Sequence, residues 1–79
     1  MFVIVAGGGR TGATLASVLL QERHQVRIIE HRIELLTRLH RELPTEVIYE
    51  GSPSDPAVLE RAGVRQAQVL AATTDTDAN

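Results

Sequence analysis

Apolar residues follow two rhythms along this chain. Phe2-Val3-Ile4-Val5-Ala6 is an unbroken apolar run bounded by Gly7-Gly8-Gly9, the pattern of a strand buried on both faces of a parallel sheet. From residue 10 to 22 the spacing becomes helical, with Gly12, Leu15, Ala16 and Leu19 on one stripe. A polar turn over 21–24 leads to a second strand at 25–30, which ends on Glu30. Residues 31–43 predict a second helix carrying Ile33, Leu36, Leu39 and Leu43 on one face, stopped by Pro44. A third strand is expected over 45–49 and a loop over 51–54. Asp55 reads as an N-cap with Pro56 in the first helical position, and Gly63 as the C-cap that ends a short helix. A fourth strand is expected over 67–72. The polar stretch 73–79 reads as the start of a further helix, with Asp75 and Asp77 as its capping residues.

This βαβαβαβ alternation predicts the α/β class: a Rossmann-type parallel sheet of strand order 3-2-1-4, flanked by helices and joined by right-handed crossovers. Residues 1–79 then form a single, partial Rossmann domain truncated after its fourth strand. In the fuller order 3-2-1-4-5-6 that strand is internal. Here it is expected at an edge, exposing Val69, Leu70 and unpaired backbone groups to a second chain.

Composition narrows the partners. The 79 residues are 43% hydrophobic and 23% charged, with a net charge of −2, in the ordinary globular range. One Phe, one Tyr and no Trp leave little for base stacking, and no basic tract is present, so a nucleic-acid partner is not expected. Cysteine is absent, which excludes disulfides and thiolate chemistry. The opening apolar run is too short for a signal peptide or a membrane span, so a cytoplasmic location without membrane insertion is the default. His24, His31 and His40 have no metal-ligand spacing, and no metal site is expected.

Gly7-Gly8-Gly9-Arg10-Thr11-Gly12 satisfies G-x-G-x-x-G between a strand and a helix, with an acid at the end of the next strand. In that context the pattern is a dinucleotide-binding fingerprint. Gly7 permits the turn, Gly9 admits the pyrophosphate and Gly12 lets the helix approach the strand, while phosphates meet open amides and the positive helix end. Arg10 is placed to grip a phosphate oxygen. Glu30, 18 residues after Gly12, has the spacing of a ribose-binding carboxylate, which favours NAD over NADP. His31 is assigned to the adenine edge. Arg32 is read as a solvent-facing helix residue that accommodates a 2′-phosphate only if Glu30 turns away. No catalytic constellation is visible, and an enzyme is not expected.

Three further segments extend the pattern: Glu50-Gly51-Ser52-Pro53-Ser54-Asp55-Pro56, Val58-Leu59-Glu60-Arg61-Ala62-Gly63-Val64, and the run from Leu70 through Ala72-Thr73-Thr74-Asp75. With the glycine loop they resemble, along the whole chain, the RCK (TrkA-N) family of nucleotide-binding domains in potassium channels and Trk/Ktr uptake systems. The resemblance implies a regulatory switch that binds NAD or NADH, or ATP and ADP as in Ktr-type relatives. It also implies assembly into dimers or rings and a membrane potassium-transporter partner. By position, Gly7 to Gly12 hold phosphates and Glu30 the ribose. Gly51-Ser52 lie beside the adenine, and Ala72-Thr73 line the cleft. The family usually has Gly-Asp where this chain has Gly51-Ser52, so the charge-assisted acceptor becomes a neutral hydroxyl. The alternative from another class is the cofactor-binding half of an NAD-dependent dehydrogenase, which the fold also hosts.

Overall fold

The structure, a computed structural model, describes residues 1–73. The helix start expected at 74–79, with Asp75 and Asp77, lies outside them. Eight elements follow in order: β1 Phe2–Ala6, α1 Arg10–Gln21, β2 Gln25–Glu30, α2 Ile33–Glu42, a 3-10 turn Thr45–Val47, β3 Ile48–Glu50, α3 Pro56–Ala62 and β4 Val69–Ala72. The strands form one parallel sheet of order β3-β2-β1-β4, as the alternation predicts.

Side chains alternate across this sheet and build a core on each face. Val3, Val5, Val26 and Ile28 meet Ala13 and Ala16 of α1 and Leu39 and Leu43 from α2 and its end. Ile4 and Ile29 point the other way and meet Val58 and Ala62 of α3. Two helices therefore cover one face and one covers the other. β1, central in the sheet, is the most apolar strand because both its faces are covered.

Three element starts, and the burial of Ile33, differ from the sequence reading. α2 begins at Ile33 rather than residue 31, because the His31 and Arg32 amides donate to the Glu30 carboxylate and hold Arg32 extended (φ −79°, ψ 124°). Ile33, expected on the buried face, is 70% exposed, since the helix starts where the chain leaves the carboxyl end of the sheet. Residues 45–47, expected in a strand, form a 3-10 turn. It follows Pro44, whose φ of −61° sets the entry to the turn, and pairing with β2 begins only at Ile48. β4 begins at Val69; just before it the Gln68 amide donates to the Phe2 carbonyl (2.8 Å), while the Phe2 amide donates to the Gln68 side chain (2.9 Å).

Candidate functional site

The carboxyl ends of β1, β2 and β4 open onto one cleft of about 500 Å³. It sits at the point where strand order reverses between β1 and β4, the place where open α/β sheets bind ligands. Its lining includes Gly7, Glu30, His31, Ser52, Ala72 and Thr73, six of the residues expected at the site, together with Arg32, Pro53 and Ser54. Gly51 is not in the lining. It packs against Val58 of α3, where an added Cβ would come within 2.6 Å of that side chain.

The glycine loop is built by close approach. Gly7 has a φ of 115°, and a Cβ there would lie 2.6 Å from the Thr73 carbonyl oxygen. A Cβ on Gly12 would lie 2.0 Å from the Gly7 carbonyl oxygen, so only glycine lets α1 start this near the loop. Thr73 closes the arrangement from β4: its hydroxyl donates to the carbonyls of Gly7 (3.1 Å) and Ala6 (3.3 Å).

The amides of this loop divide into two sets. Gly7 donates to the Ile29 carbonyl (2.9 Å) and Gly8 to Glu30 Oε1 (2.7 Å), so both hold the loop onto β2. Gly9 is the N-cap of α1, no side chain caps this helix, and its first turn carries no acid. Among the described residues, the amides of Gly9, Thr11 and Gly12 have no acceptor. A helix start without a cap suits an anion, and the residues present therefore fit a phosphate-bearing ligand. The open amides are confined to the start of α1, a narrower stretch than the full glycine motif, with the exposed Arg10 beside them.

Glu30 is the most constrained side chain of the site. It is 1% exposed. Oε1 accepts from the Gly8 amide and from Arg32 Nη2 (3.0 Å), and Oε2 from the amides of His31 (2.9 Å) and Arg32 (2.8 Å) and from Arg32 Nε (2.9 Å). Burial pushes this carboxyl up, but the Arg32 guanidinium and the amides of Arg32, Gly8 and His31 outweigh it and hold the pKa at about 2. The His31 ring is half-exposed, with Nδ1 3.9 Å from Oε2.

Arg32 is the N-cap of α2 rather than a helix residue and, although half-exposed as the sequence suggests, its fork donates to both oxygens of Glu30. The signal for it was an arginine two residues past the strand-end acid and just before the helix. Ser54, given no role from the sequence, joins Ser52 through a 3.0 Å contact between hydroxyls. Among the described residues no cluster of His, Asp and Glu suits a metal ion, and no helix is long and apolar enough to cross a membrane.

The family model for the TrkA-N domain matches residues 3–79. The chain is similar to a Trk system potassium uptake protein TrkA homolog of Methanothermobacter thermautotrophicus, 39% identical over 77 residues, covering 98% of this chain and 35% of that protein. It is 36% identical to the corresponding homolog of Pyrococcus abyssi, over 98% of this chain and 34% of that one. The Trk system potassium uptake protein TrkA of Halomonas elongata is 35% identical over 95% of this chain and 16% of its own length. The chain therefore spans about a third of the archaeal relatives and about a sixth of the Halomonas protein. With the glycine loop, the strand-end acid and the parallel order β3-β2-β1-β4 in place, the chain belongs to the TrkA-N domain family.

Proposed function

We propose that residues 1–79 act as a nucleotide-binding regulatory domain of a potassium-uptake system, holding NAD or NADH in the cleft, with ATP or ADP as the alternative ligand. One observation carries the reading: a single cleft joins Gly7, Glu30, Ser52 and Thr73 beside an uncapped helix start, in a chain of the TrkA-N family. The names of the relatives support the potassium system. A regulatory role requires that the nucleotide bind two conformations with different affinity. The cleft suits binding: it offers amides, hydroxyls and a carboxylate neutralised by its own arginine. The phosphates lie at the start of α1, near Arg10, Thr11 and Gly12, and the adenosine lies toward Glu30, His31 and Ser52. The domain works in the cytoplasm as a homo-oligomer attached to a membrane transporter subunit, and it turns over no substrate.

Calorimetric titration with NAD, NADH, ATP and ADP tests this, with Gly9→Asp as the control. Gly9 sits in extended backbone (φ −73°, ψ −165°) at the N-cap, a position aspartate favours. Its carboxylate is expected to cap α1 and fill the phosphate seat, weakening nucleotide binding by about tenfold or more while the fold survives. Saturable binding by the unaltered protein, without turnover, supports the reading. Absence of binding at millimolar ligand ends it, and hydride transfer to a carbonyl substrate would favour the dehydrogenase half instead.

A further inference from the structure

The ribose end of the cleft does not have the surface of an NAD-selective site. A carboxylate has about four lone-pair positions, and Glu30 already accepts from five donors of its own chain. Three of these are backbone amides fixed by the loop and by the start of α2. The other two belong to the Arg32 guanidinium, whose side chain is 47% exposed. Only this side chain can leave the carboxylate without moving backbone. The rim of the cleft is completed by the Ser52 and Ser54 hydroxyls.

We propose that Arg32 determines ligand specificity and makes the cleft accept NADP(H) alongside NAD(H). With the guanidinium on Glu30, the pair carries no net charge, and a 2′-phosphate is met by the guanidinium's remaining N–H groups and the serine hydroxyls rather than repelled by a bare acid. With the guanidinium lifted, Glu30 is released to accept from a ribose diol. The same residue therefore serves both ligands in two side-chain positions, and neither requires a change of backbone. The inference rests on the proposed nucleotide-binding reading and adds the ligand class to it.

The test is fluorescence titration with NADH and NADPH, and calorimetry with 5′-AMP and adenosine 2′,5′-bisphosphate, on the unaltered protein and on Arg32→Gln and Arg32→Lys. The expected result is NADPH binding within about tenfold of NADH. Arg32→Gln should weaken NADPH and the bisphosphate by about tenfold or more while NADH and 5′-AMP hold or tighten, and Arg32→Lys should retain part of the NADPH affinity. If NADH binds and NADPH is more than about tenfold weaker, the inference fails and the nucleotide reading stands. Equal losses for both ligands in Arg32→Gln would also overturn it, since Arg32 would then support the cleft without selecting. If no nucleotide binds at all, both readings fall.

Discussion

Glu30 is the one buried charged residue among those described, and it is ionised because its own chain surrounds it with donors. Removing a carboxylate from water is costly, and the offset here comes from a bidentate guanidinium and three amides. Its pKa is lowered from 4.5 to about 2. A lowered carboxyl pKa stabilises the fold fully above the unfolded value and loses that contribution as pH falls through the folded value. The window is therefore about pH 4.5 down to about pH 2, and the contribution at neutral pH is about 3 kcal/mol. Urea unfolding of the unaltered protein and of Glu30→Gln over this range should show the stability difference shrinking as acid is added. Parallel curves would mean that Glu30 does not titrate as described. The same side chain ties Gly8 to the start of α2.

The elements are set by local signals that tertiary contacts then trim. The α3 helix follows its sequence closely: Asp55 accepts from the Ala57 amide (2.9 Å), Pro56 opens the helix and Gly63 ends it with a φ of 92°. Gly63→Ala should cost about 1–2 kcal/mol, because an L-residue is strained in the left-handed region. The added Cβ would also press on Arg27 Nη1 and the Phe2 ring, at 3.0 and 3.2 Å. Calorimetry should register a fall in Tm of roughly 5–10 °C for a domain of this size. Arg27 joins β2 to the end of α3. Its Nη1 donates to the Ala62 carbonyl (2.9 Å), and its guanidinium lies 4.9 Å from the Phe2 ring centre and 5.6 Å from that of Tyr49. Arg27→Met keeps the apolar stem and removes the charge, with an expected loss of about 1–2 kcal/mol in chemical denaturation. An unchanged midpoint would show the stacked arginine to be dispensable.

Across the whole molecule, the sheet is well covered on its faces and less so at β4. Val69 and Leu70 are 42% and 49% exposed, and among the described residues β4 pairs only with β1. An uncovered apolar strand of this kind is a template for pairing. The 79-residue chain is expected to self-associate with rising concentration, and Leu70→Lys should shift light-scattering mass toward the monomer. A monomer at millimolar concentration in the unaltered chain would remove β4 as an assembly edge. The net charge of −2 offers little repulsion to oppose such contact.

Fold class, strand order, the α3 caps and the glycine loop were legible in the amino-acid sequence because each rests on short-range rules: apolar runs, helical spacing, and glycine where a side chain has no room. The 3-10 turn, the late start of α2 and the exposure of Ile33 were not, since each depends on what a distant or neighbouring group does with backbone amides. The candidate site divides the same way. Sequence spacing sets Gly7, Gly12 and Glu30 at the ends of their elements, while the pairing of Arg32 with Glu30 and of Ser54 with Ser52 depends on the folded chain. A linear pattern specifies which residues end a strand; where a guanidinium comes to rest is decided by the donors and acceptors that packing brings within 3 Å of it.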